Sequence, residues 1–330
     1  MRLVTFTPPS VRALPRIGVL LGDLVVDVAA VAEERSRSGG LPASAARRLS
    51  AALLPPDMTA FLENGEISLD AARSALDWAT EQSVVGDDGL GLAWSSASVT
   101  LLSPVPEPPN FRDFNTFEGH TLAASRQMGS SIHPNWYEMP AYYKGTRSSI
   151  TGPDSVLAWP EPSEKVDLEF EYAAVIGRTG KNLRPEDGFD HIVGFTICND
   201  LSARDLQGKE MPLLLGPGKG KDFDGSTALG PALVTLDEIG DPANLAMRAR
   251  INGELVCESS TGTAFWSWGQ VIEHVSRNET LLPGDVLASG TVAGGSKLES
   301  GGPFLEPGDV IELEVEALGL LRTTIGARAR

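Results

Sequence analysis

The chain has 330 residues, 42% of them hydrophobic and 22% charged, which is typical of globular proteins and excludes a disordered or fibrous chain. The formal net charge of −17 argues against a nucleic-acid partner, because binding to a phosphate backbone relies on basic patches. No apolar run reaches the roughly 18 residues that a membrane-spanning helix needs, and no signal-peptide core is present, so we expect a cytoplasmic protein with no membrane partner.

The first hundred residues predict a β hairpin followed by helices. Residues 17–28, IGVLLGDLVVDV, form two β-rich runs around Gly22-Asp23, which is a strong hairpin signal. Helical patterns follow in AAVAEERSRSGG, ASAARRLSAALLPP and LDAARSALDWATEQ. Residues 99–110 then hold four prolines, which do not fit inside a helix or a central strand. We therefore expect two domains, an N-terminal module at 1–103 and a second domain at 104–330.

The second part predicts a largely β domain with many turns. Only WSWGQVIEHVSRN has a clear helical pattern. Cys198 and Cys257 are too few and too far apart for a metal knot or a disulfide framework, so we expect reduced core cysteines. The expected fold class is mostly β with some α. The predicted strands lie in LEFEYAAVIG, HIVGFTICND, TALGPALVT, AMRARINGELV, DVLASGTV and DVIELEVEAL.

Carboxylates in two predicted strands suggest a cation site. Glu169 and Glu171 lie two residues apart in a strand, so both side chains point to one face. Like charges this close cannot be buried alone, so either the face is exposed to solvent or a cation lies on it. Asp200 ends an apolar run typical of a buried strand, although Asn199-Asp200 also suits a turn. Convergent carboxylates without cysteine ligands favour Mg²⁺, Mn²⁺ or Ca²⁺ over Zn²⁺.

Seven segments together resemble the motifs of the fumarylacetoacetate hydrolase family. They occur in the family's order and cover about residues 99–325. The resemblance implies a mixed β-roll catalytic domain preceded by a small SH3-like β module with helices, and it implies a homodimer. The segments are RDFNTFEGH, PNWYEMPAYYKG, DLEFEYAAVIG, GFTICNDLSARDLQ, GKGKDFDGSTALGP, LASGTVAGGSKLE and FLEPGDVIELEVEALG.

The resemblance also implies roles for individual residues. The family's general base falls on His120, which follows Asp113 by 120 − 113 = 7 positions as in the family motif, and Glu299 matches the acid that orients this histidine. Glu306 competes with Glu299 for that role, but its FLEPGD context indicates a surface turn. The ligands of a divalent cation, Mg²⁺ or alternatively Mn²⁺ or Ca²⁺, fall on Asp113, Glu169, Glu171 and Asp200. Residues matching positions that bind or polarise the substrate are Arg126, Gln207, Lys221, Tyr143 and Thr291.

Two strings near Gln207 allow a choice between neighbouring charged residues. GPGKGKDF contains both Lys219 and Lys221, and a loop-length difference could exchange their roles, but GKDF favours Lys221. Arg204 and Asp205 in SARD could also be catalytic. We interpret them as a structural ion pair that braces the metal loop.

These residue types suit hydrolysis of a carbon–carbon bond in a β-diketone or an acylpyruvate, such as fumarylacetoacetate or fumarylpyruvate. A histidine oriented by a carboxylate can activate water near neutral pH, and a cation can take up enolate charge. Hydrolysis of ketonic substances is placed first because His120 matches the water-activating position of the family's hydrolases. An isomerase, decarboxylase or hydratase of 2-oxo dioates from aromatic catabolism remains open, as does a non-catalytic binding homologue. The expected enzyme partner is a small 2-oxo acid or diketone.

Overall fold

The computed structural model describes residues 1–9, 14–83 and 91–328. Within these ranges, the chain forms a 12-stranded mixed sheet, a five-stranded sheet and a two-stranded sheet. The strands are β1 Arg2–Thr7, β2 Arg16–Leu21, β3 Leu24–Asp27, β4 Ala93–Ser95, β5 Thr100–Leu101, β6 Phe111–Phe114, β7 Tyr142–Gly145, β8 Ile150–Thr151, β9 Ser155–Leu157, β10 Val166–Asp167, β11 Phe170–Ile176, β12 Ile192–Asp200, β13 Ser202–Ala203, β14 Thr227–Thr235, β15 Ala246–Ile251, β16 Glu254–Ser260, β17 Val286–Ala288, β18 Val310–Val315 and β19 Gly319–Ile325. The α-helices are α1 Val28–Ser38, α2 Ala43–Leu53, α3 Met58–Glu63, α4 Glu66–Glu81, α5 Glu118–Gln127, α6 Arg204–Glu210, α7 Leu236–Ile239 and α8 Trp268–Ser276.

The N-terminal hairpin is confirmed. Strands β2 and β3 pair antiparallel on either side of Gly22, whose φ of +58° suits glycine in a tight turn. Strand β1 pairs with β2 on one side and with β14 on the other. The N-terminal strands therefore continue the same sheet that holds the later strands, and the domain division at residue 103 stays a prediction.

Helices follow the N-terminal strands as the sequence predicts. The three predicted helical segments correspond to α1, α2 and α4, while the short α3 was not predicted. Apolar residues such as Val31, Phe61 and Ala72 are buried, because these helices turn an apolar side toward the sheet. None of the helices in the described part of the chain is long and apolar enough to cross a membrane.

The central strands of the large sheet are buried on both faces. Strand β11 lies between β12 and β17, and all its residues are buried. Phe170 and Tyr172 pack into one core, whereas Ala173 and Val175 pack into a second core on the opposite face. Glu171 shares the second face because side chains alternate along a strand. This face therefore carries a charged residue in the middle of an apolar sheet.

The register of neighbouring strands brings acidic positions together. Strand β6 pairs in parallel with β17, and Asp113 lies opposite Ala288. In turn, β17 pairs with β11, and Glu171 in β11 lies opposite Cys198 in β12. Asp200, the last residue of β12, lies two positions after Cys198. Three acidic residues of distant sequence segments are therefore neighbours on one sheet.

The predicted helix WSWGQVIEHVSRN is confirmed as α8, but α5, α6 and α7 were not predicted in this part of the chain. Helix α5 matters most, because it contains His120. Its buried residues are His120, Ala124 and Ser125. Two of these three residues are polar, so the buried side of α5 is not an apolar stripe, and hydrophobic periodicity could not reveal this helix.

Candidate active site

Four buried carboxylates meet at one point of the large sheet. Asp113, Glu169, Glu171 and Asp200 each offer an oxygen atom, and these atoms all lie within 4.8 Å of one another. Strands β6, β11 and β12 supply three of the residues, and Glu169 directly precedes β11. All four residues predicted as metal ligands therefore belong to one cluster, which we call the carboxylate cluster.

The electrostatics of the carboxylate cluster fit a bound cation. Burial raises the pKa of Asp113 well above its usual value, and the charges of Glu171 and Asp200 raise it further. Burial also raises the pKa of Glu171, with Asp200 and Glu169 adding to the effect. The Oδ1 atom of Asp113 is buried and has no hydrogen-bond partner among the described residues. Such a set of oxygen atoms could hold a divalent cation of the Mg²⁺, Mn²⁺ or Ca²⁺ type.

Glu169 differs from its neighbours because two cationic side chains contact it. Burial alone would raise its pKa, but Arg204 and Lys221 together hold the pKa below its usual value. The Lys221 ammonium binds the carboxylates of both Glu169 and Asp200, and it lies 3.1 Å from the backbone oxygen of Asp200. Lys219 is exposed, so Lys221 is the lysine that reaches the carboxylate cluster.

His120 and Glu299 form a hydrogen-bonded pair beside the carboxylate cluster. Nδ1 of His120 lies 2.8 Å from Oε1 of Glu299, and Nε2 lies 4.0 Å from Oε1 of Glu169. The other oxygen of Glu299 accepts a hydrogen bond from the backbone N–H of Gly294 at 2.8 Å. An ionised Glu299 places the imidazole proton on Nδ1, which leaves Nε2 as an acceptor facing the carboxylate cluster. Glu306 is exposed and forms no part of this dyad.

Tyr143 reaches the carboxylate cluster from β7. Its ring is half-buried, and its hydroxyl donates a hydrogen bond of 2.7 Å to Oδ2 of Asp200. Burial of the hydroxyl and the nearby charges of Asp200 and Asp113 raise the pKa of Tyr143 well above its usual value. The phenol therefore stays protonated and remains a donor to a candidate metal ligand. Its predicted contact with the substrate stays a prediction.

Replacing Tyr143 by phenylalanine is expected to weaken Mn²⁺ binding about tenfold, because partners of metal ligands typically contribute 10–100-fold to affinity. Titration of free Mn²⁺ by electron paramagnetic resonance measures this dissociation constant. Tyr142→Phe is the matched control, since Tyr142 neighbours Tyr143 on β7 but packs against Phe114. Equal Mn²⁺ affinities of the two variants would contradict a role of the Tyr143 hydroxyl in holding Asp200.

Thr291 and Gly290 both donate hydrogen bonds to Glu171. The Thr291 hydroxyl donates to Oε1 of Glu171 at 3.3 Å, and the Gly290 N–H donates to Oε2 at 3.0 Å. Gly290 has φ of +83°, and a side chain there would overlap the carbonyl oxygen of Phe114. Only glycine therefore allows this turn to present its N–H to Glu171. Thr291, predicted as a substrate contact, touches a candidate metal ligand directly.

The structure does not bring Arg126 into the carboxylate cluster. Its side chain is exposed in the last turn of α5, and it makes no ion pair or side-chain hydrogen bond with the described residues. Gln207 lies on α6, and its Oε1 accepts a hydrogen bond of 3.0 Å from Arg204. The predicted role of Arg126 in binding or polarising the substrate stays a prediction.

Arg204 contacts the carboxylate cluster, whereas the sequence predicted that it pairs with Asp205. Its Nη2 lies 2.8 Å from Oε1 of Glu169, an ion-pair contact that is not aligned as a hydrogen bond. Asp205, the expected ion-pair partner, instead accepts hydrogen bonds from the Ser163 hydroxyl at 2.6 Å and from a backbone N–H at 2.9 Å.

Comparisons with known proteins identify the family of the chain. The family model described as fumarylacetoacetate (FAA) hydrolase C-terminal matches residues 111–326, and the chain belongs to the fumarylacetoacetate hydrolase family. The oxaloacetate tautomerase fahd2 of Xenopus laevis mitochondria is 37% identical over 277 residues, which cover 82% of this chain and 79% of that protein. The oxaloacetate tautomerase YisK of Bacillus subtilis is 31% identical over 283 residues, covering 83% and 87%.

A solved structure extends the likeness to the whole chain. The fumarylacetoacetate hydrolase of the psychrophile Exiguobacterium antarcticum has a TM-score of 0.70 and 27% identity, covering 99% of this chain and 100% of that one. The predicted family and the predicted mixed fold are thereby confirmed. The chain is an enzyme of this family, which acts on small-molecule substrates.

Proposed function

We propose that the protein is a metal-dependent tautomerase that interconverts the keto and enol forms of a small 2-oxo dicarboxylate, with oxaloacetate as the first substrate to test. The observation that carries this proposal is the orientation of His120, which Glu299 holds at Nδ1 while Nε2 faces the carboxylate cluster. The tautomerase names of the relatives from Xenopus laevis and Bacillus subtilis support the choice of substrate.

Enolisation of a 2-oxo acid needs a base and a site that stabilises the developing oxygen charge. One C–H bond breaks next to the 2-oxo carbon and one O–H bond forms at the oxo oxygen, with no change of oxidation state. Nε2 of His120 is free to take the carbon-bound proton, and the Glu299 carboxylate stabilises the imidazolium that results. Asp113, Glu169, Glu171 and Asp200 would hold a divalent cation, which would supply Lewis-acid polarisation of the oxo group.

Positive side chains beside the carboxylate cluster suit an anionic substrate. Four carboxylates around one divalent cation leave net negative charge, which would repel a dicarboxylate. Arg204 and Lys221 are buried next to Glu169 and offset part of that charge. Burial lowers the pKa of Lys221, but Asp200 and Glu169 raise it above its usual value, so the ammonium stays charged.

Hydrolysis of a carbon–carbon bond in a β-diketone or acylpyruvate is the second candidate. The His120–Glu299 dyad could equally activate a water molecule. Hydrolysis also needs donors to a tetrahedral oxyanion, and two of the residues predicted to bind or polarise the substrate are not placed for this task. Arg126 is exposed, and the Lys221 ammonium binds two carboxylates. We therefore place the tautomerase first and the hydrolase second, whereas the sequence favours the hydrolase.

An assay with two substrates tests the proposal. Purified protein with Mg²⁺ or Mn²⁺ is mixed with the enol form of oxaloacetate, and the ultraviolet band of the enol is followed against the metal ion alone. We expect faster decay of the band while the substrate mass stays intact. Cleavage of an acylpyruvate without acceleration of oxaloacetate tautomerisation would instead favour the hydrolase. The Asp200→Asn variant is the control for catalysis by free metal ions.

The assembly, the resident ion and the cellular location are further expectations. A homodimer and Mg²⁺ follow from the family resemblance, and a role in aromatic catabolism stays a prediction. The cytoplasmic location stays a prediction, because the name of the Xenopus laevis relative describes a mitochondrial protein.

A further inference from the structure

We propose that Asp167 is a positioning residue, which fixes the His120–Glu299 dyad relative to Glu169 through two sets of hydrogen bonds. Of the measurements that test this inference, only the activity measurement rests on the proposed function. Asp167 lies in β10, two residues before Glu169, and its side chain is completely buried. It touches neither the dyad nor the carboxylate cluster directly, so it acts through other groups.

The first set of hydrogen bonds reaches the segment that carries Glu299. Oδ1 of Asp167 accepts from the backbone N–H of Lys297 at 2.8 Å, and Oδ2 accepts from that of Leu298 at 3.0 Å. These N–H groups open the short 3-10 helix Lys297–Ser300, whose own N-cap residue, Ser296, makes no side-chain capping bond. Asp167 therefore caps this helix from a distant strand. The cap fixes the turn on which Glu299 is presented to His120.

The second set reaches the carboxylate cluster through Arg204. Nε of Arg204 donates to Oδ2 of Asp167 at 2.8 Å, while Nη2 of the same guanidinium lies 2.8 Å from Oε1 of Glu169. Burial lowers the pKa of Arg204, but Glu169 and Asp167 raise it above its usual value, so the guanidinium remains charged. Its planar fork suits bridging two carboxylates in one fixed geometry. Asp167 thus decides where Arg204 contacts Glu169.

Both sets lead toward one atom of Glu169. Oε1 of Glu169 is the atom contacted by Arg204, and Nε2 of His120 faces the same atom at 4.0 Å without a hydrogen bond to it. From Asp167, one chain of contacts leads through Arg204 to this atom, and the other leads through Glu299 to His120. Removing the Asp167 charge would weaken both sets of hydrogen bonds. It would also leave Glu169 as the remaining carboxylate that contacts the buried Arg204. A purely structural carboxylate would have no reason to influence cation binding and the dyad at once.

The test compares Asp167→Asn with Asp205→Asn. Asn keeps the size of Asp167 but removes its charge and one acceptor, so one of its three donors must lose its bond. Asp205 is the matched control, because it adjoins Arg204 and accepts several hydrogen bonds but touches no residue of the carboxylate cluster. Three quantities are measured, namely the Mn²⁺ dissociation constant, the downfield proton resonance of His120 Nδ1, and kcat and KM for oxaloacetate.

For Asp167→Asn we expect a 10–100-fold weaker Mn²⁺ affinity, a shifted or lost Nδ1 resonance and a fall in kcat that exceeds the change in KM. For Asp205→Asn all three should stay within about twofold of the wild type. A lower melting temperature of Asp167→Asn with unchanged Mn²⁺ affinity and unchanged resonance would overturn the proposal. The binding and resonance measurements need no substrate, so they still decide if the wild type fails to act on oxaloacetate.

A second variant covers the case in which Asp167→Asn does not fold. Arg204→Lys keeps a buried positive charge and leaves the helix cap intact, but an ammonium cannot bridge Asp167 and Glu169 as the guanidinium does. We expect weaker Mn²⁺ binding with a retained His120 Nδ1 resonance. Unchanged Mn²⁺ affinity in this variant would show that the link through Arg204 does not position Glu169.

Discussion

Replacing Asp113 by asparagine is expected to lower kcat/KM by at least about 100-fold while making the metal-free protein more stable. The loss follows because partners of metal ligands already contribute 10–100-fold, and a ligand itself should contribute no less. The variant gains stability because burial and neighbouring carboxylates raise the pKa of Asp113, so the ionised form of Asp113 opposes folding of the wild type. An amide would also supply a donor to the adjacent Glu171.

The pH dependence of this gain has a definite sign. A carboxyl group whose pKa is raised by folding stabilises the fold at low pH, and that stability is lost as the pH rises through the raised pKa. The melting temperatures of Asp113→Asn and the wild type in chelator should therefore be similar at low pH and diverge as the pH increases. With added Mg²⁺ the wild type should have the higher melting temperature, because only the wild type gains stability from tight Mg²⁺ binding. Melting curves without such a crossover would argue against a cation site at Asp113.

The carboxylate cluster could be predicted because strand alternation and composition leave few explanations for its acidic residues other than a cation site. Glu169 and Glu171 are two residues apart before an apolar strand, and burying both without a counter-charge is unfavourable. Asp200 ends a nearly continuous apolar run, which indicates a central strand. The meeting of these segments with Asp113 depends on the pairing of β6, β17, β11 and β12. The place of Asp113 among the ligands came from the family resemblance and not from the local pattern.

The surroundings of the carboxylate cluster were harder to predict, because they depend on long-range contacts. Asp167 bonds with Lys297 and Leu298, which lie 130 and 131 residues away. Arg204 was assigned to its sequence neighbour Asp205, whereas its charge is balanced by residues from another strand. The N-terminal strands likewise join a sheet through β14, more than two hundred residues later. Local propensity contains no information about such partners.

Replacing His120 by alanine is expected to lower kcat for oxaloacetate tautomerisation by about 10²–10⁴-fold, the usual contribution of a general acid–base group. The Mn²⁺ dissociation constant should change by no more than a few-fold, because His120 Nε2 lies 4.0 Å from Glu169 and does not hold it. This combination separates proton transfer from cation binding. His133→Ala is the control, since His133 is exposed and only accepts a hydrogen bond from the backbone of Asn135.

The same variant also separates the two candidate reactions when both substrates are offered. A tautomerase that depends on His120 should lose activity on oxaloacetate, and Glu299→Gln should lose part of it, because an amide orients the imidazole without stabilising its charge. Activity on oxaloacetate that survives His120→Ala but disappears in Asp200→Asn would assign the chemistry to the cation site alone. In that case the dyad would serve another reaction, and water activation for carbon–carbon cleavage would become the better explanation of why Glu299 holds His120 beside the carboxylate cluster.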